Sequence, residues 1–334
     1  MAKPHVFVTR VLPDKGMRLV LDFCEAEVWP EDMPPAHEQL LKKAAGKDGL
    51  LTLLTDKIDA EVMEAAPRLK VISNCAVGVD NIDLAAATRR GIPVGNTPDV
   101  LTDATADMTF ALLLATARRI VEAVEYVRAG KWKTWDLQLL LGADLAGRSL
   151  GIIGFGRIGR AVAKRAQGFD LRVSYFDPAV VNSPLGESTE LNTLLRISDF
   201  VSLHVPLTKA THHMIGEENL RRMKSTAILV NTSRGPAVDH GALYRALTEG
   251  WIAAAALDVT EPEPLDPASP LLRLRNCLVV PHLGSASRWT REQMAVLAAE
   301  NLIAGLQGRR LPHLVNPEVY MAPPQHQDTL ASNS

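Results

Sequence analysis

Residues 149–166 read SLGIIGFGRIGRAVAKRA, and this stretch decides the fold. The apolar run Ser149–Ile153 has the length and composition of a buried strand. Gly154, Gly156 and Gly159 follow in the spacing G-x-G-x-x-G, and a run of good helix formers comes next. Each glycine answers a physical need. Gly154 permits a sharp turn, Gly156 lets backbone approach a pyrophosphate, and Gly159 lets the helix pack close to the strand. Unpaired N–H groups at the helix start would face the phosphates. The next apolar run ends Ser174-Tyr175-Phe176-Asp177, placing an acid 18 residues beyond Gly159. An acid there can accept hydrogen bonds from both ribose hydroxyls and repels a 2′-phosphate.

Working outward, further strand-like runs lie at 172–176, 200–204, 227–231, 254–258 and 277–281, with helical patterns between them. With 149–153 they make the six strands of a complete doubly wound nucleotide-binding unit. Upstream, 5–9, 49–54 and 71–74 alternate with helical segments such as 38–45 and 59–66, which predicts a second parallel α/β layer structure. The fold class is therefore α/β, with two doubly wound parallel-sheet domains. A Rossmann-type nucleotide domain, 102–285, is inserted in a flavodoxin-like substrate domain built from 1–101 and 286–320. Residues 101–130 read as one long helical stretch, and another covers 288–308. Residues 321–334, rich in Pro, Gln and Ser, are expected to be a disordered tail.

The chain has 334 residues with a formal net charge of −2, so nothing suggests nucleic acid or an anionic membrane as a partner. No apolar run reaches the roughly 18 residues of a bilayer span, and the start does not read as a signal peptide. Cys24, Cys75 and Cys277 fit neither a disulfide framework nor a metal spacing, so no metal is expected and the location expected is cytoplasmic.

Three later segments place polar residues at the ends of apolar strands. NTSRGPAVD (231–239) brings out Thr232, Ser233 and Arg234; LDVTEPEPL (257–265) brings out Asp258, Glu261 and Glu263; PHLGSAS (281–287) brings out His282. Ligands of open parallel sheets collect at the carboxyl ends of the strands, so these groups converge beside the dinucleotide. Reduction of a 2-oxo acid needs three roles. Arg234 can hold the carboxylate bidentately and polarise the carbonyl. His282 can donate a proton to the developing alkoxide. Glu263 can orient that histidine, with Glu261 as its competitor. His204, ending the strand-like run 200–204, reads as lining the cofactor groove, and tandem His212 and His213 read as solvated loop residues.

Together these motifs resemble the D-isomer-specific 2-hydroxyacid dehydrogenases over almost the whole chain, to about Tyr320. The stretches 69–107, GKWKTW (130–135), 251–265 and LAAENLIAGLQG (297–308) are most similar to the glyoxylate reductase/hydroxypyruvate reductase branch. The resemblance implies reduction of a small 2-oxo acid by NADH or NADPH, with Arg234, Glu263 and His282 as the catalytic triad, which selects Glu263 over Glu261. It implies that Val77 and Gly78 offer backbone N–H groups to the substrate carboxylate, from a domain that closes on substrate. Ser285 would touch substrate or nicotinamide, and Trp135 would reach into a partner subunit's active site. The cofactor would run along Gly154, Phe155, Gly156, Arg157, Ile158 and Gly159 to Asp177. It would also meet Thr105, His204, Val205, Pro206, Thr232 and Ser233, and then Arg234, Asp258, His282 and Gly284. A homodimer formed through the nucleotide domain is implied as well.

One departure bears on the cofactor. NADPH-using members of the branch carry a small residue and then an arginine after the second strand; here the pair is Asp177-Pro178. NAD(H) is therefore expected over NADP(H). D-lactate or 2-ketogluconate types are alternatives within the family, as is a dinucleotide-sensing corepressor-like binding protein in another class. Formate dehydrogenases have glutamine where Glu263 stands, and phosphite dehydrogenases have lysine where Val77 stands. Phosphoglycerate dehydrogenases often continue into a regulatory domain beyond the length of this chain.

Overall fold

The computed structural model describes residues 2–321; the tail expected at 321–334 lies outside these apart from Met321. The chain divides into two compact units, one running to Val100 and resuming at Ser287, the other Leu101–Ala286.

The first unit holds a parallel five-stranded sheet: β1 (His5–Val8), β2 (Glu25–Val28), β3 (Gly49–Thr52), β4 (Val71–Asn74) and β5 (Val94–Gly95), in the order β2-β1-β3-β4-β5. Its core gathers Phe7, Leu50, Ile72 and Val94 from the sheet with Leu40, Val62, Met63 and Ala87 from covering helices. The helix Arg288–Leu306 returns to this sheet, where the Ser73 hydroxyl donates to the Ala298 carbonyl at 2.7 Å.

The second unit holds a parallel seven-stranded sheet: β6 (Ser149–Ile153), β7 (Arg172–Phe176), β8 (Glu187–Ser188), β9 (Phe200–Leu203), β10 (Ile228–Asn231), β11 (Ala254–Leu257) and β12 (Cys277–Val279). The order is β12-β11-β10-β9-β6-β7-β8. Every strand is parallel, so all carboxyl ends share one edge, and the order reverses between β6 and β9. Helices cover both faces, over two separate apolar layers. One centres on Leu203, Leu229, Leu243 and Leu257, the other on Phe110, Leu150, Val162 and Tyr175.

Two differences from the sequence reading have physical causes. The stretch 101–130 is two helices, Thr102–Ala117 and Ile120–Arg128, broken at Arg119, whose φ of 54° is left-handed. The chain returning at Ala143 donates its N–H to the Ala117 carbonyl at 2.8 Å, taking the acceptor a continuing helix would need. The strands β2, β5 and β8 were not expected. All three lie at sheet edges, and β5 and β8 are two residues long, so they lack the apolar run that marks a central strand.

Candidate active site

The glycine loop shows its constraints as distances. Gly154 has φ of 90°, and a Cβ there would lie 2.6 Å from the His204 carbonyl oxygen. The loops leaving β6 and β9 thus touch at the point where strand order reverses, the place where open α/β sheets bind ligands. A Cβ on Gly159 would lie 2.2 Å from the Gly154 carbonyl oxygen, so the helix Arg157–Gln167 packs on the turn itself. Gly156 is different: a Cβ there would meet nothing within 4 Å. The protein leaves that space open, at an uncapped helix start, and it is the room a pyrophosphate needs. The residues present therefore fit a dinucleotide.

Neighbouring positions divide between groove and scaffold. The Phe155 ring is fully buried and stacks on Tyr175 at 3.8 Å, so it belongs to the core. The Phe155 N–H donates to Asp177 Oδ2 at 2.7 Å, and the Ala179 N–H donates to Asp177 Oδ1 at 2.8 Å. Asp177 thereby fixes the turn as well as ending β7; each oxygen keeps a further lone pair for a ribose hydroxyl. Arg157 is exposed and Ile158 half-buried, packed against the core.

Behind the strand ends runs a line of polar contacts. His204 Nε2 meets Ser202 Oγ at 2.7 Å, and His204 Nδ1 meets Thr232 Oγ1 at 3.5 Å. Thr232 Oγ1 meets Thr109 Oγ1 at 2.9 Å, and the Thr109 hydroxyl also contacts the Thr105 carbonyl at 2.9 Å. Burial pushes the His204 pKa down to about 3, so this imidazole is neutral and acts by hydrogen bonding. After it, Val205 packs on the core and Pro206 is exposed.

Arg234 follows β10 on a turn organised by Asn231. The Asn231 Oδ1 accepts from Ser233 N at 3.0 Å and Ser233 Oγ at 2.8 Å, and its Nδ2 donates to the Arg234 carbonyl at 2.8 Å. His282 sits three residues beyond β12 with φ of 53°. Its Nδ1–H donates to Glu263 Oε1 at 2.5 Å. Glu261 is turned elsewhere, with Oε2 at 2.6 Å from His213 Nε2 and Oε1 at 3.8 Å from His212 Nε2. The tandem histidines read as solvated are thus engaged with the acid that competed for His282. Asp258 is buried and accepts the Leu283 N–H at 2.5 Å and the Gly284 N–H at 2.8 Å. Burial raises its pKa; the Leu283 N–H, the His282 charge and the Gly284 N–H oppose that rise. Its contacts hold the turn that presents His282 and Ser285.

One residue absent from the sequence reading joins these parts. A Cβ on Gly235 would lie 1.9 Å from the Thr260 carbonyl oxygen, so the Arg234 turn and the loop carrying Glu263 are in backbone contact. Its only signal in sequence was its place directly after Arg234. In the first unit, Asn96 Nδ2 donates to the Val77 carbonyl at 2.8 Å and Asn74 Nδ2 to the Gly78 carbonyl at 2.9 Å. Two asparagine side chains thus orient the peptides of that loop. Trp135 is 75% exposed.

Sheet order, an open glycine cradle and a His282–Glu263 pair in the loops beyond the strands are those of a dinucleotide-dependent oxidoreductase. Residues 110–284 match the D-isomer specific 2-hydroxyacid dehydrogenase, NAD binding domain, and the chain belongs to this family. It is 55% identical over 327 residues to the glyoxylate reductase of Korarchaeum cryptofilum, covering 96% of this chain and 98% of that protein. Among solved structures it is similar to the TT0316 protein of Thermus thermophilus, with a TM-score of 0.89, 51% identity, and 93% and 99% of the two chains covered. The NADPH-dependent glyoxylate/hydroxypyruvate reductase of Sinorhizobium meliloti, in complex with NADP and malonate, gives a TM-score of 0.84 at 30% identity, covering 95% and 98%. Among the described residues, no helix is long and apolar enough to cross a membrane.

Proposed function

We propose that this chain reduces glyoxylate, and hydroxypyruvate alongside it, to the corresponding 2-hydroxy acid, using NADH in preference to NADPH. The observation that carries the reading is the 2.5 Å bond from His282 Nδ1 to Glu263 beside the Arg234 turn. A bound reduced nicotinamide supplies hydride to the carbonyl carbon. Arg234 holds the substrate carboxylate and draws charge onto the carbonyl oxygen. With Nδ1 engaged by Glu263, the proton for the new alkoxide leaves from His282 Nε2. Glu263 stabilises the imidazolium that donates this proton and holds the neutral ring left behind in its Nδ1–H tautomer. Val77 and Gly78 are assigned to the substrate carboxylate and Ser285 to the substrate or nicotinamide. The preference for NADH rests on Asp177, whose charge would repel a 2′-phosphate, and on Pro178, which has no N–H to offer one.

The reading includes a homodimer in the cytoplasm. The helix Ile120–Arg128 has no buried residue, and Ile120, Val124, Val127, Trp132, Trp135 and Leu137 are exposed around it. A surface of this kind suits a second copy, with Trp135 reaching the partner's site. The three free cysteines suit a reducing compartment.

Steady-state kinetics on both acids with both cofactors test the function. His282→Asn should lower kcat about 10²–10⁴-fold while NADH binding persists. A variant that keeps most of its turnover would remove His282 as the acid. A wild-type protein that binds NADH but reduces no 2-oxo acid would favour the binding-protein alternative.

A further inference from the structure

We propose that His212, His213 and Glu261 form a site for one divalent transition-metal ion of the Zn2+ type, separate from the catalytic group. The ligating atoms of all three lie within 4.8 Å of one another. His213 Nε2 is 2.6 Å and His212 Nε2 3.8 Å from opposite oxygens of the Glu261 carboxylate. Tetrahedral zinc holds N and O ligands at about 2.0–2.1 Å, which sets them roughly 3.3 Å apart. Modest side-chain rotations reach that spacing and leave a fourth position for water.

The local backbone is arranged for this. Adjacent side chains normally diverge, yet the two imidazoles face each other with centroids 4.0 Å apart. His213 adopts φ of 50°, a left-handed conformation uncommon for a residue with a Cβ. A held outlier of this kind marks a position the surroundings specify. The surroundings are visible: the His213 N–H donates to the Pro236 carbonyl at 2.7 Å and the His212 N–H to the Thr208 carbonyl at 2.9 Å. Among the described residues, no lysine or arginine is paired with Glu261, whereas the other cluster of this kind, His37, Asp59 and Glu61, has Lys57 Nζ at 3.0 Å from Asp59. Two imidazoles and a carboxylate suit zinc and its first-row neighbours far better than calcium or magnesium.

The ion would join two segments that frame the reaction. His213 rests on Pro236, two residues after Arg234, and Glu261 is two residues before Glu263. A bound ion therefore ties the turn carrying the orienting carboxylate to the segment lying on the Arg234 turn. The site does not depend on the identity of the substrate.

The test uses the full chain, stripped of metal by chelator and dialysed. Zn2+ is titrated against a chromogenic chelator, and thermal unfolding is followed with and without the ion. Expected are one Zn2+ per chain and a raised Tm in the wild type. His213→Ala and Glu261→Gln should each weaken binding at least about tenfold and abolish the Tm rise, while His282→Asn binds as the wild type does. Both altered residues are partly exposed, and circular dichroism checks that the variants fold. Binding that survives His213→Ala and Glu261→Gln, binding lost in His282→Asn, or no binding below millimolar Zn2+ would each overturn the proposal.

Discussion

Replacing Gly235 by alanine isolates what holds the proposed catalytic group together. The added Cβ would lie 1.9 Å from the Thr260 carbonyl oxygen and 2.1 Å from its carbon, where real Cβ contacts essentially never fall below 3.0 Å. The two backbones must separate by at least about 1.1 Å, and neither partner is a flexible side-chain end. Gly235 adjoins Arg234 and Thr260 lies three residues before Glu263, so the displacement moves the proposed substrate anchor away from the carboxylate proposed to orient His282. A misplacement of about 1 Å can lower a rate about 10²-fold, equivalent to about 2.7 kcal/mol in the barrier. Overpacking of this kind destabilises folding by about 1–3 kcal/mol. The glycine cradle itself is untouched, so NADH affinity should fall less than kcat/KM does, by no more than the contacts expected at Thr232, Ser233 and Arg234 supply. The assay is kcat/KM for glyoxylate, with NADH affinity from fluorescence and Tm from calorimetry. A Gly235→Ala enzyme within threefold of wild-type kcat/KM would refute the claim that this backbone contact positions the group.

Two further outcomes follow from the site and the fold. Wild-type kcat/KM should favour NADH by about tenfold or more, about 1.4 kcal/mol, and Asp177→Ser with Pro178→Arg should narrow or invert that preference. A wild-type preference for NADPH would show that another basic group, such as Arg157, meets the phosphate. Stability should fall in acid through Asp199. Burial alone would raise its pKa, but Lys224 at 2.7 Å and the Ser149 N–H and O–H hold it below its ordinary 3.8. The stabilisation from a depressed carboxyl is present above 3.8 and is lost as pH falls through the lower, folded value. Asp199→Asn should lower Tm by a few °C at neutral pH and show less acid dependence; parallel Tm curves for the two proteins would contradict this.

The sequence by itself determined the elements whose signal is local. The strand, glycine loop and helix of 149–166 fall within one short window, although only Gly159 answers a contact in the same turn; Gly154 answers the distant His204 carbonyl. Central strands announced themselves because burial on both faces demands continuous apolar runs. Arg234, Glu263 and His282 were singled out because each lies three to six residues beyond the end of such a run, but the choice of Glu263 over Glu261 rested on family resemblance. Only the tertiary structure gave that choice a geometric reason: His213, 48 residues before Glu261, engages its carboxylate and leaves Glu263 to His282. The break at Arg119 likewise needed Ala143 to arrive at the Ala117 carbonyl, and the need for glycine at 235 arose from Thr260, 25 residues on. Hydrophobic periodicity records which face of an element is buried. It carries no record of which distant backbone group will occupy a given carbonyl, carboxylate or Cβ position, and those occupancies set the geometry of this site.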